Sequence, residues 1–204
     1  PDYPKPFDKN RRGMSLGEGA GVLILESLDH ARQRGARILG EVLGYGVSCD
    51  AHHMTAPDPS ASGAMRCMTA ALADAGIDPS RIDYINAHGT ATPANDRMET
   101  LAIKSVFGER AYDIPVSSTK AMHGHTLGAA GAIESVVCAL AIRKKFIPPT
   151  VHHEDPDPDC DLDYVAGGVR EADVRIALSN SFAFGGNNTT VILGEFTEKG
   201  VGHD

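Results

Sequence analysis

No apolar run in this chain approaches the ~18 residues a membrane-spanning helix needs, so no membrane span is expected. No segment reads as a signal peptide. Cysteine is sparse: Cys49, Cys67, Cys138 and Cys160 are scattered, without C-x-x-C spacing. That argues against a zinc site built on cysteine and predicts a reduced, cytoplasmic protein. An excess of positive charge is also missing. The formal net charge is −8, which argues against nonspecific binding to nucleic acid but leaves room for a local basic patch facing an acidic partner. Glycine is abundant, with 22 in 204 residues, and suggests many tight strand-to-helix loops. The length suits one substantial α/β domain, or one and a half small ones.

The pattern predicts a buried strand over Leu16–Glu26, with close backbone approach at its glycines. A short helix follows over Glu26–Arg34, stopped at Gly35. Further strands are expected at Ile38–Val47, Ile82–Asn86, Ile114–Ser117, Arg175–Ser179 and Thr189–Glu195. Helices are expected at Ser60–Ala75, at Asn95–Phe107 with Asn95 or Asp96 as N-cap, and at Leu127–Lys145. Arg143, Lys144 and Lys145 suit the negative end of that last helix, and Pro148 and Pro149 block its continuation. Strands alternating with helices predict a mostly parallel sheet covered by helices, closed by a final hairpin. The chain begins at Pro1 without a methionine, which methionine removal before proline would explain by itself; the better clue is that a buried strand at Leu16–Glu26 needs neighbours on both sides. The chain is therefore expected to be part of something longer.

Two segments carry chemistry. In Asn86-Ala-His-Gly-Thr-Ala-Thr, His88 sits beside a glycine at a strand end, with the hydroxyls of Thr90 and Thr92 available to an extended polar ligand. In Ser117-Ser-Thr-Lys-Ala-Met-His-Gly-His-Thr, Lys120 and His125 have the same setting. Strand, polar Gly/Thr loop, helix is where α/β proteins place their sites, so two imidazoles and a lysine are expected to converge. Neither segment holds an obvious nucleophile. Lys120 reads either as a buried cation that orients its neighbours or as a solvated lysine. His123 and His125 also share an H-x-H spacing. A metal there would need a third ligand, which His52-His53 or His152-His153 could supply only on paper, because adjacent histidines point apart on extended backbone. Glu134 lies on an apolar helix. If buried it must be paired or hydrogen-bonded, with backbone amides of adjacent loops as candidate partners; if not, it faces solvent. Phe182 and Phe184 flank Ala183 at a Gly185-Gly186 turn and read as core or as a mobile gate.

Three motifs together resemble a known family. They are His-Gly-Thr-Ala-Thr-Pro-Ala-Asn-Asp from His88, Ser-Ser-Thr-Lys-Ala-Met-His-Gly-His-Thr-Leu-Gly-Ala-Ala-Gly-Ala-Ile-Glu ending at Glu134, and Asn-Ser-Phe-Ala-Phe-Gly-Gly-Asn-Asn from Asn180. They look like the C-terminal half of a β-ketoacyl-[acyl carrier protein] synthase, most like the elongating synthase II type. Pro6-Phe-Asp-Lys, Gly17-Glu-Gly-Ala-Gly, Asp50-Ala-His-His-Met-Thr-Ala-Pro and Cys160-Asp-Leu-Asp-Tyr-Val extend the resemblance from about Pro6 to Phe196.

The resemblance implies a thiolase-like α/β fold, with this chain as the C-terminal half of a five-layer α-β-α-β-α arrangement. Residues 1–38 would be the tail of the N-terminal half, and 39–204 the C-terminal ketoacyl synthase domain. It implies a homodimer that works with acyl carrier protein, touches neither nucleic acid nor membrane, and binds no cofactor or metal of its own, the substrate riding on phosphopantetheine. His88 and His125 would be the two histidines of a Cys-His-His triad, with Lys120 in support and Glu134 the buried acid of the following helix. Thr90, Thr92 and Thr55 would line the pantetheine tunnel, with Phe182 and Phe184 as substrate-binding aromatics and Phe184 in the gating loop. Asp50 and His53 would lie near the tunnel mouth. The departures are Ala183 for the usual glycine, and His123 and Asn187 where threonine is common. No cysteine here has the nucleophile's context. Two other readings remain open: an aromatic polyketide ketosynthase, which Asn95-Asp-Arg-Met-Glu-Thr and Asp157-Pro-Asp-Cys-Asp-Leu-Asp-Tyr also suit, and a non-catalytic partner subunit of the chain-length-factor kind.

Overall fold

The structure, a computed structural model, describes residues 3–198. Residues 1–2 and 199–204, the outer ends of the two expected segments and Pro1 with them, lie outside the described residues. The elements in chain order are α1 (Leu28–Gln33), β1 (Glu41–Cys49), α2 (Ser62–Ala75), β2 (Tyr84–Asn86), α3 (Pro93–Phe107), β3 (Val116–Ser117), α4 (Lys120–His123), α5 (Ala130–Lys144), β4 (Phe146–Ile147), β5 (Arg170–Glu171), β6 (Ile176–Ala183) and β7 (Asn187–Gly194).

Five strands form one sheet in the order β1-β7-β6-β2-β3, and β4 pairs with β5 apart from it. Alternate residues of each strand point to opposite faces, and the sheet accordingly separates two cores. Ile85, Leu178 and Ile192 pack with Met68 and Leu72 of α2 and with Met98, Ile103 and Phe107 of α3. Their strand neighbours Tyr84, Ala177 and Leu193 pack on the other face with Cys138, Ala141 and Ile142 of α5. Among the described residues, no helix is long and apolar enough to cross a membrane.

The sheet is not mostly parallel. β2 pairs parallel with β3 and β6, but β6–β7 and β7–β1 are antiparallel. Only the short turn Phe184–Gly186 separates β6 from β7, and a parallel return would need a crossover of a dozen residues or more. The expected closing hairpin is present, with β6 running further than foreseen, to Ala183.

Leu16–Glu26 does not form the expected buried strand. A single bridge joins Leu16 to His125, and Val22, Ile24 and Leu25 are exposed. Among the described residues no strand runs alongside it. Its glycine face does come close to the protein: Gly17 abuts His123 and Gly124, and Gly21 abuts Ala132 of α5. The N-cap of α3 is Thr92, not Asn95 or Asp96. The Thr92 hydroxyl accepts from the Asn95 N–H, and Pro93 fills the first helical turn, where its missing donor is harmless. The expected helix from Leu127 opens as a 3-10 turn, Leu127–Ala129, before α5 begins at Ala130.

Candidate active site

β2 and β3 are parallel neighbours, with Asn86 opposite Ser117. The loops leaving their carboxyl ends therefore emerge side by side at one edge of the sheet. The first carries His88, and the second runs through α4, with Lys120, to His125. The two imidazoles meet edge to face, with ring centroids 5.3 Å apart and planes at 82°. Phe182 comes from β6, the other neighbour of β2, and sets its ring 5.7 Å from His88. Ser118 ties the two loops together by donating its hydroxyl to the Gly89 carbonyl at 2.7 Å. The expected convergence of His88, His125 and Lys120 is present, with Phe182 as a buried wall.

Two buried carboxylates stand behind the histidines. Glu99 of α3 is fully buried. Its oxygens accept from the His88 N–H and the Gly89 N–H, both at 2.9 Å, and from the Asn180 amide at 3.2 Å. The backbone-amide role foreseen for Glu134 thus belongs to Glu99, while Glu134, fully buried on α5, pairs with the equally buried Lys120. Sequence reasoning missed Glu99. The signal was its helical spacing with Ile103 and Phe107, which puts it on the core face of α3. Glu99→Gln is expected to cost about 1–3 kcal/mol in urea unfolding, because an amide oxygen accepts where its NH₂ cannot, leaving one buried N–H unpaired.

The imidazoles are held neutral. Burial keeps His88 well below the ordinary histidine range, reinforced by Lys120 and then His125. Burial, then Lys120, then His123 lower His125 from 6.5 to about 4. The Leu127 N–H donates to His125 Nδ1 at 3.2 Å. In a neutral ring that places the proton on Nε2 and leaves an N–H to offer. The Nδ1 of His88 is buried with no hydrogen-bond partner among the described residues.

The shift has a consequence for stability. Between pH 6.5 and about 4 the unfolded chain protonates His125 while the folded chain does not. The linked stability is therefore complete above pH 6.5 and is lost as pH falls toward 4. Urea midpoints are expected to fall across that window, and to fall less steeply in His125→Asn. Parallel pH profiles for the two proteins would contradict this.

The remaining predicted residues spread outward from the rings. Thr90 is buried and shares a 2.9 Å hydroxyl contact with half-buried Thr92, beyond His88. Thr55 is exposed and bonds His53 within its own loop. Phe182 and Phe184 part company: Phe182 is buried, whereas Phe184 is 61% exposed at the turn. That turn is tethered to the loop after β1, since the Asp50 N–H donates to the Gly186 carbonyl and the Gly185 N–H to that of Met54, at 2.8 and 2.7 Å. His123 engages the Gly124 carbonyl and the Thr119 hydroxyl with its two ring nitrogens. Cys67, Cys138 and Cys160 are buried, which disfavours their thiolates and lifts Cys160 to about 11. Cys49 is exposed.

Residues 39–154 match the family model described as "Beta-ketoacyl synthase, C-terminal domain". The chain is 54% identical over 192 residues to "3-oxoacyl-[acyl-carrier-protein] synthase 2" of Synechocystis sp., covering 94% of this chain and 46% of that protein. Among solved structures it resembles "The ishigamide ketosynthase/chain length factor" with a TM-score of 0.92 and 52% identity, over 97% of this chain and 48% of that one. It also resembles a chain of a type II PKS acyl-carrier protein in complex with its ketosynthase bound to the hexaketide, with a TM-score of 0.93 and 44% identity, over 96% and 48% of the two chains. The chain spans about half the length of the curated relatives it matches. The fold is the mixed α/β, thiolase-like one of a C-terminal ketosynthase domain.

Proposed function

Because the chain belongs to the β-ketoacyl synthase family, through its C-terminal domain, we propose that it supplies the decarboxylation half of a condensing site in fatty-acid elongation. The rest of the protein would supply the nucleophilic cysteine. In this reading residues 1–38 close the N-terminal half, 39–204 form the C-terminal domain, and the whole works as a cytoplasmic homodimer with acyl carrier protein. The cysteine takes an acyl chain from its carrier. Malonyl-carrier protein then binds with its pantetheine arm along Thr90 and Thr92, near Thr55 and the Phe184 turn. The bond to the malonyl carboxylate breaks, CO₂ leaves, and the electron pair delocalises onto the thioester oxygen. His88 and His125, neutral, donate N–H bonds to that oxygen. The resulting enolate carbon attacks the acyl thioester and expels the cysteine thiolate.

The observation that carries this reading is the pair of imidazoles in edge contact, one with a backbone N–H on its Nδ1 that leaves the neutral ring an Nε2–H donor. Preorganised donors aimed where negative charge develops are what an enolate requires. Lys120 disfavours a proton on either ring and so keeps them donors rather than acids.

The 204-residue chain alone is expected to show no condensation with acyl- and malonyl-carrier protein, because three of its thiols are buried and the exposed one lies outside the histidine motifs. Elongation by the purified chain would overturn that assignment. The resemblance to polyketide ketosynthases supports a second reading, in which the same chemistry extends a polyketide. Product analysis with malonyl-carrier protein separates them: saturated-chain precursors one acetate unit longer support elongation, and poly-β-keto chains support the polyketide reading.

A further inference from the structure

We infer that residues 13–17 form a positioning strap that holds the His88 and His125 loops at a fixed separation, with Gly17 the residue whose missing side chain makes this possible. Three backbone hydrogen bonds carry the inference. The Gly13 N–H donates to the Ala91 carbonyl of the His88 loop at 2.9 Å. The His125 N–H donates to the Ser15 carbonyl at 2.7 Å, and the Gly17 N–H donates to the His125 carbonyl at 3.0 Å. One short segment therefore grips both histidine loops, and it satisfies both main-chain polar groups of His125.

Side chains contribute little to this grip. Ser15 is exposed and Leu16 is 70% exposed, so the strap is held by its backbone and not by burial. The approach is too close for a side chain at Gly17, where a Cβ would stand 2.0 Å from the His123 carbonyl oxygen. Gly124, at φ +75°, meets it from the other side, and a Cβ there would lie 2.9 Å from the Gly17 nitrogen. The strap cannot slide, because its near end is anchored. Arg11 pairs with Asp157 and lies near Asp96 at the start of α3. Fully buried Asp8 accepts from the Glu154 and Asp155 N–H groups. With its backbone fixed by the strap and its ring fixed by the Leu127 N–H, His125 has one orientation toward His88.

The catalytic consequence rests on the enolate reading of His125. The strap is tested through the imidazoles themselves, so its failure and the failure of that reading are told apart. Nitrogen NMR of the whole protein with labelled histidine reads the tautomer and titration of each ring. Gly17→Ala is expected to replace the single Nε2–H form of His125 with a mixture, and to move its titration from about 4 toward 6.5 as the loop opens to water. Gly19→Ala is expected to leave both unchanged, because its Cβ would meet the movable Ile133 and Thr126 side chains at 3.1 and 3.4 Å. Wild-type His125 signals in Gly17→Ala, or equal disturbance in Gly19→Ala, would overturn the inference. If Gly17→Ala does not fold, amide exchange in the unaltered whole protein decides. Gly13, Gly17 and His125 N–H groups that are protected and released together support the strap, and independent or unprotected exchange overturns it.

Discussion

With the nucleophile-bearing part of the protein present, His125→Ala is expected to lower malonyl decarboxylation by about 10²–10³, the usual effect of deleting one oxyanion donor. Acylation of the cysteine should remain measurable. The two half-reactions develop charge on different oxygens: the malonyl thioester oxygen in decarboxylation, and that of the incoming acyl thioester in cysteine loading. Only the first is assigned to the Nε2–H of His125. Release of labelled CO₂ and transfer of a labelled acyl group to the protein measure the two steps separately. His125→Gln keeps an amide N–H and should retain more decarboxylation than His125→Ala. Equal loss of both steps in His125→Ala would make the ring a structural element and remove the enolate role.

The meeting of the two histidines was legible because each sits at the end of a short apolar run, and neighbouring parallel strands bring such loops together. The supports behind them were less legible. Lys120 and Glu134 stand 14 residues apart in sequence, and only the packing of α5 against the sheet turns them into a pair. Glu99 was hidden among the polar residues that open α3, and two of its partners are main-chain N–H groups, which leave no mark on side-chain pattern. The mixed sheet was misread because the closing hairpin was foreseen but the antiparallel pairing of β1 with β7 was not, and it joins segments as distant in the chain as Glu41 and Gly194, which no local pattern reports. The stretch Leu16–Glu26 has strand-like composition, yet strand structure requires a partner edge, and the described residues offer only one bridge. Its Gly-x-Gly-x-Gly alternation was the informative part, since it marked close backbone approach correctly.

Breaking the Lys120–Glu134 pair is expected to have the largest effect on stability. Lys120→Met leaves a carboxyl buried in an apolar setting, and removing one partner of such a pair typically costs about 3–5 kcal/mol. The loss should depend on pH in a defined direction. Burial already raises Glu134 from 4.5 to about 7 against the opposing pull of Lys120, and without Lys120 the carboxyl rises further. A folded-state acid with a raised pKa loses stability as pH climbs from its unfolded value through its folded one. Lys120→Met should therefore be less impaired in mildly acidic urea titrations than in alkaline ones. The double variant Lys120→Met/Glu134→Leu removes both charges and should regain most of the loss, because a buried pair seldom outperforms well-packed apolar residues. A double variant as unstable as the single one would mean that the pair itself holds α4 on α5. Histidine NMR on the double variant then separates electrostatics from packing. Lys120 helps to lower both rings, so the His125 titration should move upward from about 4 even in the restabilised protein. An unmoved titration would assign the neutrality of the ring to burial alone.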